Sequence, residues 1–210
     1  MSRLERNWQY AEQYPNETEA QVHARRLSLE LGIEPVSRAI AAQLSGLVAA
    51  TGATAICEVG TGVGVSGLAL LRYAPTATLT SIESDPEFLR QARTVFDEAQ
   101  VSRSNLRLIE GDAAIVMSRL NLESYDLVVI DGDPKRVLDY LEAALLIVRP
   151  GGTIALPNAF VRGKVTDPAA RDDATQAMRD LLATVAESPA IAPVLSPAGD
   201  GLLTLTRLKN

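Results

Sequence analysis

From about Thr54 onward, short runs of apolar residues alternate with segments whose apolar residues recur at helical spacing. The short runs are rich in Val, Ile and Leu, and their sequences are TAICEVG, TLTSIES, LRLIEGD, YDLVVID and GTIALPN. Runs that are almost continuously apolar are typical of strands covered on both faces of a sheet. Since helical segments separate these strands, the pattern predicts a doubly wound α/β fold with a mostly parallel sheet.

The segments between these runs predict helices, and they read VSGLALLRYA, PEFLRQARTVFDEAQ, AAIVMSRL and PKRVLDYLEAALLIV. Two parts of the chain depart from this alternation. Residues 1–50 have a helical pattern throughout, with helices predicted around 19–31 and 36–50. The C-terminal part predicts a helix over about 168–187 and then two strand-like runs around the sequence GDG, which is typical of an antiparallel hairpin at a sheet edge.

The chain length of 210 residues suits one domain with a sizeable core. We therefore predict a single domain over 1–210, in which residues 1–50 form a helical cap and residues 51–210 form the doubly wound core. No apolar run approaches the roughly 20 residues that a membrane-spanning helix needs. The one cysteine, Cys57, excludes an internal disulfide and suits a reducing compartment, so we expect a cytoplasmic protein without a membrane partner.

The formal net charge of −6 and the lack of a Lys/Arg cluster bear on the class of partner. Proteins that bind duplex nucleic acid need a basic face that displaces counterions from the phosphates. The charge distribution therefore predicts a small-molecule partner and no nucleic acid.

Polar residues stand where the predicted strands end. In open α/β sheets, ligands bind beyond the carboxyl ends of the strands, near the point where the strand order reverses. The residues at these ends are 58–60, Glu83, Asp112, 131–133, and Pro157 with Asn158. We expect them to form one site.

The loop EVGTGVGVSG follows the first predicted strand and begins a helix. Its glycines Gly60, Gly62 and Gly64 allow a tight turn and a close approach of the backbone to a ligand. Gly62, Gly64 and Gly67 also satisfy the G-x-G-x-x-G spacing of dinucleotide-binding proteins. By itself the loop leaves open a nicotinamide dinucleotide, a different ligand, or a strand–helix turn without a ligand.

Three carboxylates narrow the choice of ligand. Glu83 ends the second predicted strand, where an acidic side chain accepts hydrogen bonds from both ribose hydroxyls and repels a 2′-phosphate. Glu58 precedes the first glycine and suits a cationic ligand better than a pyrophosphate. Asp112 and Ala113 follow the third strand and are placed to meet an adenine, although Asp112 could instead cap the next helix. S-adenosylmethionine fits this set, because it has a ribose, an adenine, an amino-acid end and a sulfonium but no phosphates.

Several sequences carry a family resemblance, and in chain order they are EVGTGVGVSGLAL, SIESDPEFLRQAR, GDA, YDLVVIDGD, YLEAALLIVRPGG and GDGLLTLTR. They resemble the cation-dependent small-molecule O-methyltransferases, the group of catechol and caffeoyl-CoA O-methyltransferases and their bacterial relatives. The resemblance implies a homodimer and a class I S-adenosylmethionine-dependent methyltransferase fold with a seven-stranded sheet. It implies cofactor contacts at Val36, Glu58, Gly60, Thr61, Ser66, Glu83, Ala113 and Asp133. The glycine loop and the carboxylates add Gly62 and Asp112 to this set.

The sequence departs from the family pattern at two strand ends. In the family, the fourth strand ends in Asp-x-Asp-Lys and the fifth in Asp-Asn. The first Asp of the former and both residues of the latter hold a divalent cation, and the Lys is a candidate catalytic base. Here Asp131 and Asp133 are kept, whereas Pro134 stands at the lysine position and Pro157 stands where the family has the Asp of Asp-Asn, followed by Asn158.

These departures change the chemistry that the resemblance implies. Hard cations such as Mg²⁺ need several oxygen ligands, and only Asp131 and Asn158 remain, so we expect weak or absent Mg²⁺ binding. Asp131 is then predicted to position the acceptor, and Lys135, one residue beyond the family position, is the candidate substitute for the base. Simpler roles stay open for two residues: Asp133 could cap a helix that begins at Pro134, and Asn158 could bond to loop backbone.

The function predicted from these observations is S-adenosylmethionine-dependent methyl transfer to a hydroxyl of a small aromatic molecule. Two alternatives from other classes stay open. The first is a dimer that binds the cofactor but has little or no activity, because both departures fall on catalytic positions. The second is an NAD-dependent reductase, which is disfavoured because neither a Tyr-x-x-x-Lys pair nor a separate substrate domain is visible.

Overall fold

The computed structural model of the protein describes residues 2–209. The α-helices are α1 (Arg3–Gln13), α2 (Glu19–Glu30), α3 (Arg38–Thr51), α4 (Val65–Leu71), α5 (Pro86–Glu98), α6 (Ala113–Met117), α7 (Val137–Ile147) and α8 (Asp173–Ala186). The strands are β1 (Ala55–Val59), β2 (Thr78–Glu83), β3 (Leu106–Glu110), β4 (Tyr125–Ile130), β5 (Val148–Pro157), β6 (Ile191–Ser196) and β7 (Leu202–Arg207). Three short 3-10 helices span Arg103–Asn105, Pro134–Arg136 and Lys164–Thr166.

The strands form one seven-stranded sheet in the order β3-β2-β1-β4-β5-β7-β6. The first five strands of this order pair in parallel, and β7 pairs antiparallel with both β5 and β6. The predicted fold class, a mostly parallel seven-stranded sheet with a C-terminal antiparallel hairpin, is confirmed. The chain proceeds outward from β1 in one direction and from β4 in the other, so the strand order reverses between β1 and β4, and a crevice opens there.

Helices cover both faces of the sheet, which explains why the central strands are almost continuously apolar. On one face the core contains side chains of α2 to α5, among them Ile40, Leu44 and Phe96. On the other face it contains side chains of α6 to α8, such as Met117 and Leu181. Alternate residues of β1 point into these two cores, with Ile56 in the first and Cys57 in the second. Cys57 is fully buried, and this burial raises the pKa of its thiol to about 12.

Helix boundaries differ from the sequence prediction where caps decide them. The α8 helix begins at Asp173 and not near residue 168, because the Asp172 carboxylate caps it by accepting the Thr175 N–H. A further helix, α1, precedes the two predicted in the first 50 residues. The prediction that Asp133 and Pro134 begin a helix is confirmed, although its first turn, Pro134–Arg136, is a 3-10 helix.

A turn over residues 197–201, which contains the GDG sequence, connects the two strands of the C-terminal hairpin. Gly199 and Gly201 have φ angles of +56° and +87°, in the left-handed region that glycine adopts easily. Pro193 lies in β6, the outermost strand of the sheet, where a missing N–H donor is tolerated. Within residues 2–209, no helix has the length and apolar character needed to cross a membrane.

Candidate active site

A cavity of about 430 Å³ lies at the carboxyl ends of β1 to β4, where the strand order reverses. We call it the cofactor cavity. Its wall includes nearly all of the residues predicted to bind a cofactor, namely Val36, Gly60, Thr61, Gly62, Ser66, Glu83, Asp112, Ala113 and Asp133, together with Asp131. Because parallel strands end at one edge of the sheet, residues as distant in the chain as Gly60 and Asp133 meet in this one cavity.

Gly60 lies between the ends of two neighbouring strands. Its N–H donates to the Ile82 carbonyl at 2.9 Å, and its φ of +87° is left-handed. A Cβ atom at this position would lie only 2.0 Å from the carbonyl oxygen of Asp131. The backbone at the first glycine is therefore packed too tightly to accept any side chain.

Glu83 ends β2 and is almost completely buried at the wall of the cofactor cavity. Its Oε2 accepts the Gly62 N–H at 2.9 Å, and its Oε1 accepts the Ser84 and Asp85 N–H groups at 2.8 and 3.0 Å. The carboxylate thus ties the glycine loop to the end of β2. The Ser84 hydroxyl also lies 3.5 Å from Oε1, so the position left for a ligand hydroxyl is on Oε2, which accepts only the Gly62 N–H.

Glu58 is fully buried beneath the glycine loop and does not itself form the cavity wall. Its Oε2 accepts a 2.5 Å hydrogen bond from Ser81, whose hydroxyl lies 2.6 Å from that of Thr61. Its Oε1 is buried and has no hydrogen-bond partner in the described part of the chain. Burial raises the pKa of Glu58 to about 7, although the hydroxyls of Ser66 and Ser81 oppose that shift. A buried, unpartnered carboxylate oxygen of this kind fits a site that receives a cationic group.

Asp112 has the capping role that the sequence left open, and it also lies at the cofactor cavity, while its contact with an adenine stays a prediction. It caps α6 by accepting the Ile115 N–H at 3.2 Å, and it lies in the wall of the cofactor cavity. Its carboxylate also pairs with Arg136, which keeps the pKa of Asp112 below its ordinary value. Arg136 and Tyr140, whose ring lies 5.3 Å from the guanidinium, line the cavity and were not predicted from the sequence. The available sequence signal was their spacing: Arg136 and Tyr140 lie one helical turn apart and shortly after the strand-end residue Asp133.

The segment 33–36 contributes to the wall of the cofactor cavity, and of its residues only Val36 was predicted. Arg25 Nη1 donates to the Val36 carbonyl at 2.6 Å, while its Nε donates to both carboxylate oxygens of Glu17 at 3.0 Å. Ser28 donates to the Ile33 carbonyl at 3.1 Å. The α2 helix therefore holds this segment in place through a largely buried ion pair.

A second cavity, of about 450 Å³, adjoins the first, and we call it the acceptor cavity. The two cavities share Glu34 and residues 131–133. The remaining wall is formed by the end of β5, the loop after it, α8, the turn after β4 and Asp200 of the turn between β6 and β7, with apolar contributions from Ile130, Pro157 and Met178. A ligand in each cavity would meet the other at Asp131.

Asp131 and Asn158 are brought together at the shared wall. The Asn158 amide Nδ2 donates to Asp131 Oδ1 at 3.1 Å. Burial and the nearby Glu34 raise the pKa of Asp131 to about 6, against the hydrogen bond from Asn158, which lowers it. The loop-backbone role that stayed open for the Asn158 side chain is thus replaced by a contact with Asp131.

These residues do not fit a divalent cation. Asn158 donates its amide N–H to Asp131, and Pro157 supplies no side-chain oxygen. Among residues 2–209, no group of three or more His, Cys, Asp or Glu side chains is arranged to hold a metal ion. Mg²⁺ needs near-octahedral oxygen coordination, and one carboxylate is a poor basis for it.

Lys135, the candidate base, is exposed and lines neither cavity. It follows Pro134 in the 3-10 turn, where its backbone N–H donates to Asp133 at 3.0 Å. The turn directs residue 135 toward solvent, whereas Asp131 and Asp133 both lie in the shared wall. Of the two predicted catalytic residues, the structure therefore brings only Asp131 to the site.

Comparison with known proteins agrees with this architecture. The family model described as O-methyltransferase matches residues 14–209. The chain is 42% identical over 207 residues to a Mycobacterium avium protein named as an O-methyltransferase, which covers 98% of this chain and 93% of that protein. It is 41% identical over 207 residues to Rv1220c of Mycobacterium tuberculosis, a protein also named as an O-methyltransferase, with 98% and 92% covered.

Solved structures extend the likeness to three dimensions. A protein from Corynebacterium glutamicum superposes with a TM-score of 0.90 at 29% identity, covering 100% of this chain and 99% of that one. TomG, an O-methyltransferase of tomaymycin synthesis from Streptomyces achromogenes, was solved with S-adenosylmethionine; its TM-score is 0.85 at 25% identity, with both chains fully covered. Together with the site geometry, the match over residues 14–209 shows that this chain belongs to the O-methyltransferase family.

Proposed function

We propose that the protein transfers a methyl group from S-adenosylmethionine to a hydroxyl of a small aromatic molecule. The observation that carries this proposal is the pair of adjoining cavities that share residues 131–133. A two-substrate transfer needs the donor and the acceptor to meet at one point with their reacting atoms aligned. Such alignment is worth roughly 7–11 kcal/mol of the reaction barrier.

The charges of the cofactor cavity support S-adenosylmethionine over a nicotinamide dinucleotide. Its wall contains five carboxylates, those of Glu34, Glu83, Asp112, Asp131 and Asp133. Its one cation among the described residues, Arg136, is already paired with Asp112. This surplus of negative charge suits a sulfonium and an ammonium group and opposes a pyrophosphate. The bound S-adenosylmethionine of TomG is in accord with this assignment.

The acceptor cavity supports a small, uncharged acceptor. The cations in its described wall are Arg162 and Lys164, which pair with Glu34 at 2.6 Å and with Asp172 at 3.2 Å. The same wall holds five carboxylates, those of Glu34, Asp131, Asp133, Asp172 and Asp200, and this surplus of negative charge disfavours the phosphates of a coenzyme A thioester. The apolar part of the wall offers packing area for a ring.

In this mechanism, S-adenosylmethionine when bound supplies an electrophilic methyl group. Glu83 binds the ribose, and Glu58 balances the positive charge of the ligand from beneath the glycine loop. Asp131 orients the acceptor hydroxyl at the shared wall, while Asn158 fixes the rotamer of Asp131 through its amide. A homodimer and a cytoplasmic location stay predictions, the first of which light scattering in solution would test.

Calorimetric titration of the protein with S-adenosylhomocysteine, NAD and NADP tests the cofactor. We expect binding of S-adenosylhomocysteine alone, and tight binding of NAD without it would overturn the proposal. A panel of phenols and catechols incubated with S-adenosylmethionine tests the reaction. Turnover above background excludes a dimer that binds the cofactor without catalysis.

Substitution Glu83→Ala should weaken S-adenosylhomocysteine binding about tenfold to a hundredfold, since a hydrogen bond to a charged group contributes about 1.5–3 kcal/mol. Titration calorimetry measures the change. Glu87→Ala is the matched control, because Glu87 is an exposed carboxylate four residues away that pairs with Arg90. Equal affinities for the two variants would show that Glu83 does not bind the ribose.

Removal of divalent cations should leave methyl transfer unchanged, because Asp131 and Asn158 do not form a cation site. The measurement is the initial rate with Mg²⁺ and with EDTA. Pro157→Asp is the informative companion variant, as it restores the Asp-Asn pair of the family and should introduce Mg²⁺ dependence. Loss of activity of the unaltered protein in EDTA would contradict this prediction.

A further inference from the structure

The loop after β5 has an unusual backbone. Asn158, Val161 and Arg162 have φ angles of +58°, +51° and +56°, and Gly163 follows at +73°. Left-handed backbone is disfavoured for residues other than glycine and most of all for β-branched ones such as Val161. Strained residues of this kind persist only where the surrounding structure holds them. We call residues 158–163 the left-handed loop.

This loop forms one wall of the acceptor cavity through Asn158, Val161 and Arg162. Asn158 is also the residue that contacts Asp131. The backbone conformation of the loop therefore determines both the shape of the acceptor cavity and the orientation of Asp131.

Asp200, in the hairpin turn between β6 and β7, lines the acceptor cavity and contacts the left-handed loop. Its carboxylate accepts the N–H groups of Arg162 and of Gly163, the latter at 3.0 Å. Its backbone carbonyl accepts the Phe160 N–H at 2.8 Å, and the next residue, Gly201, accepts the Ala159 N–H at 3.1 Å. The turn thus accepts hydrogen bonds from four backbone N–H groups, those of residues 159, 160, 162 and 163.

The hairpin turn is itself anchored to the cofactor side of the molecule. Gly199 donates its N–H to Glu12 of α1 at 2.9 Å, and the same carboxylate oxygen accepts the Ser37 hydroxyl at 3.1 Å. Ser37 directly follows Val36 of the cofactor cavity. The position of Gly201 is equally restricted, because a Cβ atom there would lie 2.8 Å from the Phe160 ring. The GDG turn therefore links the two cavities.

We propose that Asp200 is a positioning residue of the acceptor site, which holds the left-handed loop in the conformation that acceptor binding and the orientation of Asp131 require. The expected effect on acceptor kinetics rests on the proposed function, whereas the role of Asp200 in holding the loop does not. Asp200 itself lines the acceptor cavity, and the effect proposed for it passes through the backbone N–H groups of Arg162 and Gly163 and not through the reacting atoms.

The experiment compares Asp200→Asn with Asp126→Asn. Asp126 is a matched control, because its carboxylate also accepts two backbone N–H groups, from Thr54 and Ala55 at 2.7 and 2.9 Å, but at the opposite end of the sheet. For Asp200→Asn we expect kcat/KM for the acceptor to fall about tenfold to a hundredfold, the range that small displacements cause. The S-adenosylhomocysteine Kd should change less than about twofold, and Asp126→Asn should alter neither quantity.

Hydrogen exchange provides a readout without turnover. In Asp200→Asn the amides of residues 159–163 should exchange at least about tenfold faster, whereas those at the ends of β1 and β2 should keep their rates. Acceptor kinetics equal to those of the unaltered protein, or unchanged exchange in the loop, would overturn the inference. If the unaltered protein turned over no acceptor, the proposed function would fail, while the exchange data would still decide whether Asp200 holds the loop.

Discussion

Substitution Gly60→Ala should abolish cofactor binding and destabilise the fold by roughly 2–5 kcal/mol. This value combines the cost of left-handed backbone for alanine, about 1–2 kcal/mol, with about 1–3 kcal/mol for overpacking. The new methyl group would lie 2.0 Å from the Asp131 carbonyl oxygen, a backbone atom. Relief of that contact would have to move the end of β1 or the end of β4, and both cavities are built on those two strand ends.

The measurements are the free energy of unfolding in urea and titration with S-adenosylhomocysteine. Gly46→Ala is the matched control, since Gly46 lies within α3 and a Cβ atom added there would have no other atom within 4 Å. Alanine in an exposed helix interior is favoured over glycine by about 0.5–1 kcal/mol, so this variant should be slightly more stable and bind normally. Normal stability and binding in Gly60→Ala would show that the first glycine is not packed as described.

Substitution Glu58→Gln should make the ligand-free protein more stable at pH 8 and little changed at pH 5. The folded pKa of Glu58 is about 7, above the ordinary value of 4.5. The contribution of Glu58 to stability is therefore fully present below pH 4.5 and is lost as the pH rises through about 7. The difference between the two pKa values corresponds to a loss of roughly 3 kcal/mol of folding stability at high pH. The glutamine variant should not show this loss, because its side chain stays neutral at every pH.

The same substitution should weaken S-adenosylhomocysteine binding about tenfold to a hundredfold, because the ligand ammonium group would lose a negative partner. Urea unfolding at pH 5 and pH 8 and titration at pH 8 test both parts. Glu30→Gln, at an exposed carboxylate of α2, should show neither effect. A Glu58→Gln variant that gains no stability at high pH would mean that the pKa of the Glu58 carboxyl is not raised in the folded protein.

Most of the fold could be predicted because its signals are local. The apolar runs of β1 to β5 and the helical spacing between them are properties of short segments, and each segment became the element that its pattern indicates. Boundaries were less predictable, since they depend on individual caps. The α8 helix begins five residues later than predicted, because Asp172 caps it and residues 168–172 are held by other contacts, including Arg179 to the Ala170 carbonyl at 2.9 Å.

Much of the candidate site was also predictable, for a topological reason. Glu83 ends a strand, Asp112 and Asp131 follow one, and parallel strands end at the same edge of the sheet. Residues that do not lie at the end of a strand could not be predicted in this way. Arg136 and Tyr140 come from the turn and helix after β4, and Glu34 comes from the connection between α2 and α3.

Local spacing and the family resemblance predicted the order of the elements, the strand-end residues and the loss of the Asp-Asn pair at Pro157. Three features became visible only in the folded chain: Glu58 is buried without a partner for one oxygen, Lys135 faces solvent, and Asp200 contacts a loop 38 residues earlier in the chain. The physical reason is that burial and hydrogen bonding depend on which distant segments meet, and no local pattern encodes that contact.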